Sequence, residues 1–126
     1  MDELRLDDAF CVHYNTSQHD SGGAKHMDPS DITVNMCLEK TADVVGSHVL
    51  FYGTQPLKNN DVEEKKEGDQ FRYHVNQVEG IATIHWGHHP HETTPLLDGG
   101  RRTNVVLTYC YKDKTRSDVV TRTCYA

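Results

Sequence analysis

Two good metal ligands, His26 and Asp28, stand one residue apart in the stretch "GGAKHMDPSDITVNMCL". Alternate residues of an extended chain face the same side, so at the margin of a strand both side chains can point to one place. The pair alone carries little weight, because a histidine and an acid at the end of a loop usually form a capped turn. It becomes informative only if a third ligand arrives from elsewhere in the chain.

The second informative stretch is "IHWGHHPHETTPLLDGGRRTNVVLTY", which spans residues 84–109. It supplies four histidines, a glycine-rich turn, and an arginine pair leading into an apolar strand. Two histidines and one carboxylate form the facial triad that holds Fe(II) and leaves three coordination positions open. A 2-oxo acid that chelates such an iron carries a distal carboxylate, and arginine is the best partner for it because its fork binds carboxylates bidentately.

The two stretches together resemble the 2-oxoglutarate- and Fe(II)-dependent oxygenase superfamily, in particular its prolyl-4-hydroxylase-like branch. The phrases that carry the resemblance are "HMDPSDITVNMCL" and "HWGHHPHETTPLLDGGRRTNVVL". The similarity covers roughly residues 10–111, and the paired blocks are far more specific than either block alone. It implies that His26, Asp28 and His91 are the iron ligands. It also implies that Arg102 grips the distal carboxylate of 2-oxoglutarate and that Tyr14 contacts the same molecule.

Neighbouring residues compete for two of these roles. His88 and His89 crowd the same turn as His91, and the spacing to the following Pro-Leu dipeptide favours His91. Counting from that histidine would select Arg101, because the chain carries one extra residue near the Gly-Gly pair. The "R-T-N" phrase and strand alternation instead favour Arg102, with Arg101 facing the opposite way.

Hydrophobic alternation dominates the chain and helical periodicity is almost absent, which is typical of an all-β sandwich or barrel. The predicted strands cover residues 9–14, 32–38, 47–53, 70–78, 80–86, 103–111 and 117–125. The polar, mixed-charge segment 55–69 is predicted to be an exposed loop that could cover the site. The resemblance narrows the fold class to a double-stranded β-helix, or jelly roll, with few or no bracing helices.

The chain of 126 residues predicts a single domain over residues 1–126, with its core over about 9–111. The net charge of −6 disfavours nucleic acid as a partner, because phosphate binding needs a basic face. No apolar stretch is long enough to cross a bilayer, and the acidic N-terminus lacks a secretory signal. We therefore expect an intracellular, cytoplasmic protein without membrane contact.

The cysteines show no CxxC spacing and fall within predicted strands. A small buried thiol is the simplest interpretation of each, with a disulfide or a thiolate metal site as the alternatives. The four residues concerned are Cys11, Cys37, Cys110 and Cys124.

The resemblance implies an Fe(II)- and 2-oxoglutarate-dependent dioxygenase that hydroxylates a protein or peptide side chain, prolyl or lysyl, and releases succinate and CO2. Its expected cofactors are Fe(II), 2-oxoglutarate as co-substrate and ascorbate as an accessory reductant; dioxygen is the second co-substrate. The alternative is a catalytically silent jelly roll that serves as a structural or interaction subunit. A cupin-like metal protein without 2-oxoglutarate is a third interpretation, and Arg102 argues against it.

Almost nothing precedes the first predicted strand. A jelly roll without bracing helices would expose an apolar sheet face, so we expect a dimer, a partner subunit that covers it, or an N-terminal region missing from this sequence.

Overall fold

The computed structural model describes residues 3–53 and 72–119. Every element with both ends in these ranges is a β-strand. In chain order the strands are β1 (Leu4–Asn15), β2 (Gly23–His26), β3 (Ile32–Lys40), β4 (Val45–Gly46), β5 (Val49–Tyr52), β6 (Arg72–Val75), β7 (Ala82–Trp86), β8 (His91–Thr93), β9 (Leu96–Asp98) and β10 (Arg101–Tyr111). The described part of the chain contains no helix long and apolar enough to span a membrane.

Two four-stranded antiparallel sheets carry the fold. The large sheet has the order β1-β10-β3-β7, and the small sheet has the order β2-β8-β5-β6. Strands β4 and β9 form a separate two-stranded ribbon. Sequence neighbours are seldom sheet neighbours, so the chain crosses repeatedly between the two sheets. This all-β, antiparallel architecture confirms the predicted jelly-roll class.

The buried interior is apolar on the small sheet and unusually polar on the large one. All four residues of β5 are buried. On β10 every second residue from Arg102 to Cys110 is buried, and three of these five, Arg102, Asn104 and Thr108, are polar. Buried polar groups need hydrogen-bonding partners, so this part of the interior is built around a polar site.

The opposite face of the large sheet is apolar and uncharged at its centre. Val34 of β3 lies between Leu107 of β10 and Ile84 of β7, all on the side away from the buried residues of β10. Ile84 is 69% exposed and Trp86 is 50% exposed. The expected exposed apolar face is present, while a partner that covers it stays a prediction.

Several predicted strand ends were wrong, for a reason visible in the backbone. The strand predicted over 47–53 is β5, Val49–Tyr52, because Ser47 and Gly53 have φ values of 57° and 78°, outside the extended region. Gly80, with φ 80°, likewise precedes β7 and does not belong to it. The short strands β2, β4, β8 and β9 were missed, since two to four residues leave too little room for alternation to show.

Three further predictions touch the ends of the described ranges. Of the strand predicted over 70–78, residues 72–75 form β6 (Arg72–Val75), residues 76–78 lie outside any strand, and residues 70–71 are beyond the described part. The exposed loop predicted over 55–69 lies outside the described residues. Of the strand predicted over 117–125, Ser117 and Asp118 lie outside any strand, and residues 120–125 are beyond the described part.

The cysteines partly follow the prediction. Cys37 and Cys110 are buried and free, and burial raises the pKa of both thiols. Cys11 is also free but exposed, which corrects its assignment to the interior. It lies on β1, the edge strand of the large sheet, which has only one neighbour. Cys124 lies outside the described residues.

Candidate metal and anion site

Three of the predicted site residues meet at the end of the small sheet. His26 ends β2 and pairs across the sheet with His91, which begins β8, and Asp28 follows two residues after His26. The Nε2 atoms of His26 and His91 lie 3.3 and 3.4 Å from Oδ1 of Asp28. Their ligand atoms all lie within 4.8 Å of one another, so the three residues could share one metal ion.

Backbone carbonyls fix the orientation of both histidine rings. Nδ1 of His26 donates to the carbonyl oxygen of Ala24 at 2.6 Å, and Nδ1 of His91 donates to that of His89 at 2.8 Å. A carbonyl only accepts, so each Nδ1 carries a hydrogen and each Nε2 faces Asp28. Metal-binding histidines are held in this way in proteins generally.

Asp28 is held in place by a side chain and by the backbone. Thr33 donates its hydroxyl hydrogen to Oδ2 at 2.6 Å, and the backbone N–H of Asp28 donates to the carbonyl of Gly87 at 2.8 Å. Burial alone would raise the pKa of Asp28, but hydrogen bonds with His26, His91 and Thr33 outweigh it and hold the pKa well below its usual range. The same hydrogen bond to Asp28 raises the pKa of His26.

Close backbone approach makes Gly87 part of this arrangement. A Cβ at this position would lie 1.8 Å from the carbonyl oxygen of Ser30, which no side chain can satisfy. The glycine N–H also donates to the carbonyl of Asp31, so the turn after β7 is bonded to the segment that carries Asp28.

The donor set fits a divalent transition metal. Two imidazole nitrogens and one carboxylate oxygen converge from one side, which is the 2-His-1-carboxylate arrangement suited to non-haem Fe(II). The anionic form of Asp28 is already favoured, so this ligand is available without loss of a proton.

A buried cation lies across the same interior. Arg102 is only 2% exposed; its Nε donates to Oγ of Ser47 at 2.8 Å, and its Nη1 donates to Oδ1 of Asn104 at 2.6 Å. The ring of Tyr14 faces the guanidinium, with its centroid 5.2 Å from Cζ. Burial lowers the pKa of Arg102, yet a guanidinium stays protonated in proteins. Within residues 3–53 and 72–119 no carboxylate is within ion-pair distance of it, so its charge suits an anionic ligand.

One cavity joins the two parts. It lies between the sheets, has a volume of about 110 Å³, and is partly lined by apolar Phe10, Val12 and Val106. Several water molecules, or one small dicarboxylate, fit a space of this size. All five predicted site residues border it: His26, Asp28, His91, Arg102 and Tyr14.

The competing residues lie outside this cavity. His88 is exposed, and Nε2 of His89 donates to the backbone carbonyl of Tyr52 at 3.1 Å. Arg101 is exposed and pairs with Glu39. Of the competing residues, therefore, only His91 and Arg102, the two that the sequence favoured, border the cavity.

Sequence reasoning missed several residues of the site. His85 borders the cavity with a side chain that is 7% exposed, and its Nε2 is 3.8 Å from Oδ2 of Asp28. Burial lowers the pKa of His85 and so favours the neutral ring, and its Nδ1 donates to the carbonyl of Trp86, which in the neutral ring leaves Nε2 without a hydrogen. Alternation along β3 and β7 could have placed Thr33 and His85 on the inner face. No pattern in the sequence points to Ser47.

An open groove adjoins the site on the outer side of His85. Its volume is about 340 Å³. It is lined by Ile32, Ile84, His85, Trp86 and His89. The Trp86 ring stacks on His88 with an interplanar angle of 9°.

The fold is the one that 2-oxoglutarate- and Fe(II)-dependent oxygenases use. An oxidoreductase of the 2OG-Fe(II) oxygenase family from Burkholderia pseudomallei is similar at 14% identity and a TM-score of 0.61, over 85% of this chain and 43% of that chain. The non-heme α-ketoglutarate-dependent epimerase SnoN from nogalamycin biosynthesis is similar at 15% identity and a TM-score of 0.62, over 93% of this chain and 55% of that one. The chain thus spans about half the length of these proteins. No family model and no curated protein matches the sequence.

Proposed function

We propose that the protein is an Fe(II)- and 2-oxoglutarate-dependent dioxygenase. One observation carries the proposal: a single cavity is bordered at one end by a His-Asp-His ligand set and at the other by a buried arginine that has no carboxylate partner within residues 3–53 and 72–119. A metal site alone would suit many binding proteins. The additional buried cation indicates a ligand that is anionic at the end remote from the metal, as 2-oxoglutarate is.

Each residue has a defined task in this proposal. His26, Asp28 and His91 hold Fe(II), Arg102 pairs with the distal carboxylate, and the Tyr14 ring packs against the guanidinium. When bound, iron and 2-oxoglutarate would supply the oxidising chemistry, in which dioxygen is consumed, succinate and CO2 are released and a substrate C–H bond is oxidised. The apolar part of the cavity wall limits the access of water, and ascorbate would keep the iron reduced.

The finer proposal is that the substrate is a protein or peptide side chain, prolyl or lysyl, which is hydroxylated. Two features support it: the sequence resemblance to the prolyl-4-hydroxylase-like branch, and an open groove beside the site that presents the half-exposed indole of Trp86. An aromatic surface of this kind is typical of protein recognition sites. A fold that also serves an epimerase does not by itself select hydroxylation, so the reaction type needs its own test.

A second candidate function is a domain that binds metal without turnover and acts as a subunit of a larger assembly. The exposed apolar face of the large sheet, with Ile84 69% exposed, favours it. The two candidates differ in one measurable quantity, the release of succinate from 2-oxoglutarate.

The decisive experiment is an anaerobic titration with Fe(II), with and without 2-oxoglutarate, followed by the weak visible charge-transfer band of a chelated ferrous complex. We expect the band only when both are present. His91→Ala and Arg102→Ala should abolish it, while the adjacent substitutions His88→Ala and Arg101→Ala should leave it intact. A folded, iron-loaded wild-type protein without the band would refute the proposed co-substrate.

The substrate is then sought with proline- and lysine-containing peptides under air. Succinate release that depends on the peptide, together with the gain of one oxygen atom by that peptide, supports hydroxylation. A band without any succinate release would support the silent binding domain.

A further inference from the structure

Ser47 occupies an unusual backbone position directly behind the buried arginine. It is fully buried, and its φ of 57° lies in the left-handed region, which non-glycine residues seldom adopt. Gly46, with φ 81°, precedes it as the last residue of β4. The backbone N–H of Ser47 donates to the carbonyl of Pro95 at 3.1 Å, so the turn is held by the segment that leads into β9.

The side chain of Ser47 makes one contact with the site. Its Oγ accepts a hydrogen bond from Nε of Arg102 at 2.8 Å, while Oδ1 of Asn104 accepts from Nη1 at 2.6 Å. Among the described residues, Nη2 has no protein acceptor. The two bonds therefore hold the guanidinium through Nε and Nη1 and leave the Nη2 hydrogens for a ligand in the cavity.

Asn104 is itself held in a single orientation. Its Nδ2 donates to Oδ1 of Asn35 and to Oε1 of Gln77, at 2.5 and 2.8 Å, so its Oδ1 is turned toward Arg102. The acceptors on both sides of the guanidinium are neutral. They restrict the motion of a long side chain without neutralising its charge, which an aspartate or glutamate at either position would do.

We propose that Ser47 is a positioning residue for the co-substrate: through Nε it holds the Arg102 guanidinium in the pose that receives the distal carboxylate of 2-oxoglutarate. The inference rests on the proposed function and adds to it a residue from outside the strand that carries the arginine. It also explains why a serine occupies a left-handed position for which glycine would be the unstrained choice. The hydroxyl is retained because Arg102 needs it.

Two substitutions of Ser47 distinguish the effect of losing the hydroxyl from the effect of relieving the backbone strain. Ser47→Gly removes the hydroxyl and relieves the left-handed strain, whereas Ser47→Ala removes the hydroxyl and keeps the strain. Ser17→Ala is the matched control, at an exposed serine whose hydroxyl, among the described residues, bonds to Asn15 alone. The affinity for 2-oxoglutarate is measured by anaerobic calorimetry on the Fe(II)-loaded protein.

Both Ser47 variants should bind 2-oxoglutarate about tenfold more weakly, the effect of losing one hydrogen bond to a charged group. Their Fe(II) affinity should stay at the wild-type value. Ser47→Gly should be more stable than Ser47→Ala, because both variants lose the hydrogen bond to Arg102 and only glycine relieves the left-handed strain. The Nε–H resonance of Arg102, observed by NMR in the metal-free protein, should shift in both variants and not in Ser17→Ala. A merely structural serine would lower stability in both variants without this selective loss of 2-oxoglutarate affinity.

The experiment distinguishes a failure of the proposed function from a failure of the role proposed for Ser47. A wild-type protein that binds Fe(II) but not 2-oxoglutarate refutes the proposed function and this inference with it. Wild-type binding that persists unchanged in Ser47→Gly and Ser47→Ala refutes the inference alone.

Discussion

Replacement of Arg102 by methionine should separate ligand binding from folding. The arginine is 2% exposed, bonds to two neutral acceptors and has no carboxylate partner among the described residues. Methionine has a similar length and fills the space without a charge. Arg101→Met is the matched control, because the neighbouring guanidinium is exposed and pairs with Glu39 on the surface.

Two opposing effects determine the stability of Arg102→Met without ligand. The acceptors on Ser47 and Asn104 lose their donor, and each unsatisfied buried group costs about 1–3 kcal/mol. Removal of a desolvated cation that no described anion compensates stabilises the fold by several kcal/mol, which is roughly the cost of the two unsatisfied acceptors. We therefore expect the free energy of unfolding to stay within about 2 kcal/mol of the wild type.

The effect on ligand binding should be much larger. At a 2-oxoglutarate concentration 100 times the dissociation constant, the wild type gains about 2.7 kcal/mol. For a chain of 126 residues this corresponds to a rise in Tm of roughly 10 °C. Loss of a charge-assisted, bidentate contact should weaken binding by about 100-fold, so the same concentration raises the Tm of the variant by only about 2 °C.

The assay is anaerobic calorimetric melting of the Fe(II)-loaded proteins with and without 2-oxoglutarate. Arg101→Met should retain the full shift. A role of Arg102 in binding the anion is refuted if Arg102→Met keeps the wild-type shift. The expected stability is refuted if that variant unfolds without ligand, because Arg102 would then stabilise the fold.

Further predictions concern the metal end of the site. Thr33→Val removes the hydroxyl that bonds to Asp28 and should weaken Fe(II) binding by about tenfold, as judged by chelator competition, while Thr33→Ser retains it. Gly87→Ala forces a Cβ against the carbonyl of Ser30 and should lower the free energy of unfolding by about 3 kcal/mol in urea, with loss of metal binding. Because the pKa of His26 is raised, its bond with Asp28 stabilises the metal-free protein fully below about pH 6.5 and is lost as the pH rises through the folded pKa. Fe(II) affinity should instead increase with pH, since the metal displaces the His26 proton. A melting temperature of the metal-free protein and an Fe(II) affinity that change with pH in the same direction would contradict this.

The sequence was most informative where chemistry and alternation coincide. Alternation along β10 placed Arg102 on the inner face and Arg101 outside, and the structure has this arrangement. The spacing after the histidine cluster singled out His91, which lies within 4.8 Å of the other two residues of the predicted triad. Both choices concern residues on strands, where a period of two leaves only two faces to choose between.

The sequence was least informative where the backbone leaves the extended region or where strands are very short. Ser47 was assigned to a strand, yet its left-handed conformation puts it in a turn, and no propensity favours serine there. The pairing of β2 with β8, which brings His26 opposite His91, joins two strands of four and three residues. Such pairings depend on the packing of the whole fold and not on local pattern.

The two ends of the site belong to different sheets, which has a mechanical consequence. His26 and His91 stand on the small sheet, whereas Arg102 and Tyr14 are a cross-strand pair of the large sheet. A molecule that spans from the metal to the guanidinium would therefore join the two layers directly, while a metal ion alone reaches the large sheet indirectly, through Asp28 and its hydrogen bond to Thr33 of β3. Slower amide exchange should then spread from β2 and β8 into β1 and β10 only when both ligands are bound. Bound 2-oxoglutarate would in this way complete the packing between two sheets that otherwise enclose a polar cavity.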